Sequence, residues 1–190
     1  MIFTKPNNPK NIIIAGLSGI WLGSMALGGM ARAVEVGDGS HQFEHPPALE
    51  NISSSSHTTG SWHDTHFFTI RLPEDAGEPL ARVDIELQGP EMSPEMSWEY
   101  QTDDTESFLG TQDNPGDSVD LASVSHNLDE GMVSVVFDTP VSPGETVTLA
   151  LSPDRNPRMP GPYNFNVTAY ADENGQTGQV IGCDRLRLYD

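Results

Sequence analysis

Cysteine is almost absent from this chain of 190 residues, which contains Cys183 and no other. A single thiol excludes an intramolecular disulfide, so packing and hydrogen bonds must hold the fold together. Two interpretations of Cys183 stay open. It is either a buried thiol that packs as a small apolar side chain, or the link in a disulfide-bonded dimer.

Positive charge is scarce and unevenly placed. Lysine occurs only as Lys5 and Lys10, and beyond residue 33 six arginines stand against all 28 acidic residues, a formal charge of −22. A field of this sign repels nucleic acid and anionic lipid surfaces, which excludes both as partners. The acidity is explained either by solubility alone or by adaptation to salty surroundings, where the screening length falls to about 3 Å at 1 M salt.

Long apolar runs are also missing, except near the N-terminus. An uncharged stretch at 12–29 follows the two lysines and precedes Ala31-Arg32-Ala33. A basic start, an apolar segment and small residues at Ala31 and Ala33 are typical of a cleaved secretory signal peptide. The alternative is an uncleaved membrane anchor, for which the stretch is barely long enough. The sequence therefore predicts a signal peptide at 1–33, a secreted or periplasmic domain at 34–190, and no membrane span after processing.

Helical periodicity is not visible beyond residue 33, and short segments with a period of two replace it. The apolar positions of these segments are Phe68/Ile70/Leu72, Val83/Ile85/Leu87, Val119/Leu121, Val133/Val135/Phe137, Val147/Leu149/Leu151, Tyr163/Phe165/Val167/Ala169 and Leu186/Leu188. One apolar and one polar face suit antiparallel strands, and two such sheets packed face to face form a sandwich. The sequence therefore predicts an all-β fold, a single-domain antiparallel β-sandwich that is immunoglobulin-like in general shape.

The segments between these strands differ in what they predict. In Ser142-Pro143-Gly144-Glu145, proline presets the first central φ and glycine supplies the positive second one, which predicts a type II turn between two strands. The Ser-rich segment 50–61 predicts a mobile loop. Residues 89–118, rich in Pro and Asp, predict loops around a short helical turn, and long loops on a β scaffold are where function tends to lie.

Two groups of side chains are candidates for metal binding. His63 and His66 form the most metal-like cluster, but their odd spacing places the imidazoles on opposite faces of a strand. Asp113, Asp117 and Asp120 belong to an acidic segment whose oxygens could ligate Ca²⁺, although it does not fit the twelve-residue calcium loop. The competing interpretations are a polar strand entrance and an Asx-type turn in solvent. We therefore predict no cofactor, with calcium as the alternative.

No catalytic motif is recognisable. An H-E-x-x-H zinc motif and a glycine-rich phosphate loop are absent, and any resemblance to a nucleophile elbow lies within the first 33 residues. Two of the 28 acidic residues could form a glycosidase-like pair, but spacing does not select them. Arg155 and Arg158 flank a proline-rich corner, and in a chain so poor in cations we expect them to hold carboxylates across loops.

Several short motifs follow one another in an order that is typical of a known family. They are Phe43-x-x-Pro46-Pro47-x-Leu49, Leu72-Pro73-x-x-Ala76-Gly77-x-Pro79-Leu80, Phe108-x-Gly110-Thr111, Pro140-Val141-x-Pro143-Gly144-x-Thr146-Val147-Thr148, Arg155-Asn156-Pro157, Gly161-x-Tyr163-x-Phe165 and Arg185-Leu186-x-Leu188-Tyr189. The chain resembles a cyanobacterial family of secreted proteins that is defined only as a domain of unknown function. The resemblance spans about residues 38–190, and it implies an exported single-domain protein without assigning an activity, a ligand or a catalytic residue.

These observations favour an exported, non-catalytic module that interacts with the cell envelope or extracellular matrix. Its expected partner is an envelope or extracellular polysaccharide or protein, and the chain is expected to be a monomer. One alternative is a calcium- or transition-metal-binding periplasmic protein, which metal analysis of the purified protein would reveal. The other is a polysaccharide-acting hydrolase, which turnover of envelope polysaccharide would reveal.

We expect the midpoint of thermal unfolding to rise as NaCl is increased well beyond about 0.2 M, because screening weakens the mutual repulsion of the acidic side chains. Calorimetry of the purified protein between about 0.1 and 3 M NaCl measures this midpoint. A flat response would leave solubility as the explanation of the composition.

Overall fold

The computed structural model describes residues 34–35, 41–88 and 98–190. The predicted signal peptide at 1–33, with its cleavage residues Ala31 and Ala33, lies outside the described residues. The described elements, in chain order, are β1 (Val34–Glu35), β2 (His41–Gln42), β3 (Ala48–Ser54), β4 (His66–Arg71), β5 (Leu80–Gln88), the 3-10 helix η1 (Thr102–Asp104), β6 (Glu106–Thr111), β7 (Asn114–Ser118), β8 (Leu121–Asn127), β9 (Met132–Val141), β10 (Thr146–Leu151), β11 (Gly161–Tyr170) and β12 (Gln179–Leu188). None of these described segments is a helix long and apolar enough to cross a membrane.

Ten of the strands form two antiparallel sheets of five. One sheet has the order β3-β4-β10-β6-β7 and the other has the order β12-β11-β5-β9-β8, while β1 pairs with β2. The two sheets share one apolar core, and β12 contacts β3 along one side. The predicted all-β antiparallel sandwich is therefore confirmed.

The core follows the period of two in the sequence. Phe68 on β4 and Phe165 on β11 are at most 1% exposed, and their ring centroids lie 5.4 Å apart, so the sheets touch through aromatic side chains. Other buried side chains alternate in the same way along the strands: Ile70, Val83, Ile85, Val133, Val135, Phe137, Val147, Leu149, Leu151, Tyr163, Val167, Leu186 and Leu188. Their removal from water is the main favourable contribution to stability in a chain without disulfides.

Two segments that the sequence predicts as loops contain strands. Strand β3 occupies the first half of 50–61, where Ile52 is buried and the polar neighbours face solvent at the sheet edge. Strands β6 and β7 form a hairpin within 89–118, and β6 is held between β10 and β7 by backbone pairing. The short helical turn expected there is confirmed as η1, while residues 89–97 lie outside the described residues.

The predicted turn at Ser142-Pro143-Gly144-Glu145 is confirmed. Gly144 has a φ of 91°, and the Glu145 N–H donates to Ser142 O at 3.3 Å. A side chain is strained at this φ, which explains the glycine. The turn joins β9 in one sheet to β10 in the other, so it is a corner between the sheets.

Cys183 is exposed on β12, so its interpretation as a buried thiol is wrong. Leu186 and Leu188 on the same strand are buried, and a period of two places residue 183 on the opposite face. The position of the thiol follows from strand parity rather than from the apolar character of cysteine. The intermolecular disulfide stays a prediction.

Truncation of Phe165 to alanine should lower the free energy of unfolding by about 3–5 kcal/mol, because it leaves a cavity between the two sheets. Urea unfolding followed by circular dichroism measures the change. The control is Val180→Ala on β12, a position 64% exposed, where we expect a change within about 0.5 kcal/mol. Equal effects of the two substitutions would contradict the described core.

Candidate functional site

Three irregular segments meet at one end of the sandwich: the β3–β4 connection (55–65), the stretch before β6 (98–105) and the β10–β11 connection (152–160). Backbone hydrogen bonds join them, from Asn156 N–H to Ser61 O at 2.8 Å and from Gln101 N–H to Ser152 O at 2.9 Å. Because neighbouring segments are paired in this way, the side chains they carry have defined relative positions.

A buried carboxylate organises these segments. Asp64 is 4% exposed, and its two oxygens accept five hydrogen bonds of 2.6 to 2.8 Å. The donors are Ser54 Oγ, Ser55 Oγ, Asn156 Nδ2 and the backbone N–H groups of Ser56 and Thr65. A buried charge is tolerated only when donors surround it, and bonds to a charged acceptor are the strong ones. The serine run therefore folds back around Asp64.

Asn156 connects Asp64 to the rest of this end. Its Nδ2 also donates to Thr58 O at 3.1 Å, and its Oδ1 accepts the indole N–H of Trp98 at 3.2 Å. Asn156 is 1% exposed, so an unpaired amide would be costly there. A side-chain amide offers two N–H donors and one oxygen acceptor in a single planar group, which explains why asparagine occupies this position.

His66 lies beside this pair and is fully buried. Its Nδ1 lies 2.8 Å from the Tyr100 hydroxyl, and its Nε2 lies 3.3 Å from Asp64 Oδ2. Serine, histidine and aspartate are the residue types of a hydrolase triad, but Ser54 and Ser55 donate to Asp64 and not to the imidazole. A nucleophile must bond the base and reach solvent, so this arrangement supports a structural role.

The protonation states fit that role. Burial alone would raise the pKa of Asp64, but hydrogen bonds from His66, Ser54 and Ser55, with the charge of His66, outweigh burial and hold this pKa well below its usual value. Burial, reinforced by the Asp64 charge, raises the pKa of Tyr100 well above its ordinary value. Near pH 7 Asp64 is therefore ionised and Tyr100 keeps its proton.

An open cleft of about 620 Å³ adjoins this network. Its lining includes the side chains of Trp62, His63, Gln101, Asp104 and Asp154. All five are exposed, and Gln101 Nε2 donates to Asp154 Oδ1 across the cleft lining. The cleft thus combines one large aromatic ring with hydrogen-bond acceptors, and its volume lies within the range of ligand pockets.

Trp62 is exposed but held in place. The Arg155 guanidinium carbon lies 4.5 Å from the centroid of the indole, and Arg155 Nε donates to Gly60 O at 3.0 Å. Gly60 has a φ of 64°, so the chain turns tightly just before the ring. The expectation that Arg155 holds a carboxylate is wrong for the described residues, because the partners found there are a backbone carbonyl and an indole.

The structure does not bring the predicted metal ligands together. His63 is exposed at the cleft, in the connection before β4, and His66 is buried in the core at the start of β4, so strand parity does not relate the two positions. Asp113, Asp117 and Asp120 are exposed on and after the β6–β7 hairpin, and none of them lines the cleft. Within the described ranges no three His, Cys, Asp or Glu side chains are grouped so that they could hold a metal ion. Metal binding stays a prediction.

Sequence patterns did not identify Trp62, Asp104, Asp154 or Asn156 as site residues. The one available signal was a tryptophan inside a segment of serine, threonine and glycine, where no strand face would bury it. The two aspartates come from segments about fifty residues apart, and Asn156 acquires its role only through partners on other segments.

The fold and this site define an all-β sandwich domain. At one end the sandwich carries a polar cleft whose lining includes an aromatic side chain. Residues 41–188 match the family described as Protein of unknown function (DUF2808), and the chain belongs to that family. The match confirms the resemblance to a family defined only as a domain of unknown function. Cyanobacterial distribution and secretion stay predictions. No curated protein matches the sequence.

Among solved structures, the chain is similar to the collagen-binding domain from a Staphylococcus aureus adhesin (TM-score 0.38, 8% identity, 73% of this chain and 100% of that one). It is also similar to the C-terminal domain of the Streptococcus pyogenes antigen I/II-family protein AspA (TM-score 0.40, 11% identity, 74% of this chain and 46% of that one). A third is a chain from the structure of manganese lipoxygenase of Gaeumannomyces graminis with part of zonadhesin of Komagataella pastoris (TM-score 0.45, 12% identity, 74% of this chain and 48% of that one). The match covers about half of the length of each of the last two chains. With TM-scores below 0.5, these similarities support no inference about function.

Asp64→Asn should lower the free energy of unfolding by about 3 kcal/mol at pH 7, because it removes the charge that the surrounding donors stabilise. The pKa of Asp64 is lower in the folded than in the unfolded chain. Its contribution is therefore complete above about pH 4 and is lost as the pH falls through the folded value. Urea unfolding at pH 7, 5 and 3 should show a difference from wild type that shrinks below about pH 4.

The matched control for this prediction is Asp113→Asn, the same chemical change in the exposed β6–β7 turn. We expect a change within about 0.5 kcal/mol at every pH. A difference between wild type and Asp64→Asn that stays constant from pH 7 to 3 would contradict the description of Asp64 as a stabilised carboxylate.

Proposed function

We propose that this domain is a non-catalytic interaction module that works outside the cytoplasm, secreted or periplasmic, and binds a component of the cell envelope or extracellular matrix. The cleft at Trp62 is its contact surface. Export is supported by the basic start, the apolar segment and the small residues Ala31 and Ala33. The excess of acidic residues supports a partner other than nucleic acid or an anionic membrane.

The observation that carries this proposal is the exposure of Trp62. The residue is 62% exposed, although tryptophan is usually buried for most of its surface. Tryptophan is among the residues that dominate binding energies when a partner covers them. Because Arg155 and the paired loops already hold the ring, little side-chain freedom is left to lose on binding, which favours affinity.

The non-catalytic part of the proposal is supported by the buried network. Asp64 is held ionised, His66 has no access to solvent, and the neighbouring serines point at Asp64. One observation favours the alternative of a polysaccharide-acting hydrolase, since the carboxylates of Asp104 and Asp154 line one cleft. Release of reducing ends should therefore be measured alongside binding.

Purified protein expressed from the full chain should sediment with isolated cell-wall or exopolysaccharide fractions of the source organism, and Trp62→Ala should weaken this binding at least tenfold. The loss follows from removing the ring that the partner covers. The control is Val180→Ala, a similarly exposed apolar residue on β12 at the far end of the sandwich, which should bind like wild type.

Binding that both substitutions leave unchanged would show that the Trp62 cleft is not the contact surface. Absence of binding to every fraction would contradict the proposed function itself. Reducing ends that accumulate with wild type but not with Asp154→Asn would replace the proposal with the hydrolase alternative.

A further inference from the structure

We infer that the cleft at Trp62 binds a neutral polysaccharide, with a sugar ring stacked on the indole and sugar hydroxyls donating to Asp104 and Asp154. This inference rests on the proposed function and names the class of ligand. It combines three features of the described residues: the indole surface, the acceptors around it, and the charge that they share.

The indole matches one face of a sugar ring. A pyranose presents a face of C–H bonds, whose partial positive charge is attracted to the electron-rich face of an aromatic ring. Trp62 lines the cleft, whereas Arg155 contacts the ring but does not line the cleft, so part of the indole surface is open to a ligand. Stacking needs a fixed ring, and the bond from Arg155 to Gly60 O holds the guanidinium that supports it.

The acceptors match the hydroxyls of a sugar. Among the described residues the Asp104 carboxylate accepts no hydrogen bond, and that of Asp154 accepts one, from Gln101. An ionised carboxylate accepts up to about four hydrogen bonds, so both keep free lone pairs at the cleft. Hydroxyl groups are donors that bind such acceptors strongly. Gln101 adds an amide, which can both donate and accept.

The charge of the cleft argues against an anionic ligand, and the Arg155 guanidinium argues against a cation stacked on the indole. Asp64, Asp104 and Asp154 line it, so uronate or sulfate groups would be repelled. A cationic amine would be attracted by the carboxylates, but the electron-rich ring is already engaged by the Arg155 guanidinium. A second cation at that ring would be repelled by the first. A neutral, hydroxyl-rich ligand avoids both costs.

The test begins with the envelope fraction that binds the protein. The polysaccharide is treated with protease and passed over an anion-exchange resin, which separates a neutral pool that flows through from an anionic pool that is retained. We expect the binding activity in the neutral pool, with affinity unchanged between about 0.05 and 0.5 M NaCl, because a neutral ligand releases no counterions.

Three variants then test the assigned contacts in the neutral pool. Trp62→Ala and Asp154→Asn should each weaken binding at least tenfold, whereas Trp62→Phe, which keeps an aromatic face, should retain most of it. The matched control is Asp113→Asn, the same change outside the cleft, which should bind like wild type. Thermal unfolding of each variant confirms that it is folded.

The outcomes separate this inference from the proposed function. Binding that resides in the retained pool, that protease abolishes, or that half-molar NaCl removes would overturn the neutral-glycan inference and leave a Trp62-dependent interaction module intact. Affinity for choline or spermidine that exceeds affinity for the neutral pool would overturn it in favour of a cationic ligand. Unchanged binding of Asp154→Asn would also overturn it. If wild type binds no fraction in a way that depends on Trp62, both the inference and the proposed function are overturned.

Discussion

The end of this sandwich that carries the cleft depends on one buried negative charge. Asp64 stays ionised out of water because hydroxyl, amide and backbone N–H donors surround it. Ser54 ends strand β3, and the other donors lie in the β3–β4 and β10–β11 connections, so satisfying the charge also ties these connections to the sheet. A neutral side chain of the same size would need fewer donors and would order them less strongly.

The exposed surface inherits its order from this interior. Asn156 bonds to Asp64 on one side and to Trp98 on the other, and its own backbone pairs with Ser61, next to Trp62. A large apolar ring in water is unfavourable unless a partner covers it. The fold thus places a rigid, partly uncovered indole at a polar cleft.

The chain achieves this without a disulfide and with very few cations. Its stability comes from alternating apolar residues on two sheets that meet through rings such as Phe68 and Phe165. The few arginines of the described chain are used locally: Arg155 contacts an indole, and Arg82 lies 3.6 Å above the ring of Tyr170 and bonds backbone carbonyls of the β11–β12 connection. Apart from the buried Asp64, Glu78 and Asp84, most acidic side chains of the described residues face solvent, and their charge limits which ligands the surface can accept.

The sequence by itself determined the fold class, because burial against one core imposes a period of two that Phe68, Val83, Val135 and Phe165 display directly. It also determined the turn at Gly144, whose positive φ only glycine adopts without strain. It did not predict strands β3 and β6. β3 lies at a sheet edge and β6 is held by backbone pairing with β10 and β7, and neither position requires apolar side chains at every second residue. The tertiary structure alone decided that Trp62, Gln101, Asp104 and Asp154 share a cleft, because contacts between distant segments leave no periodic trace in any one of them.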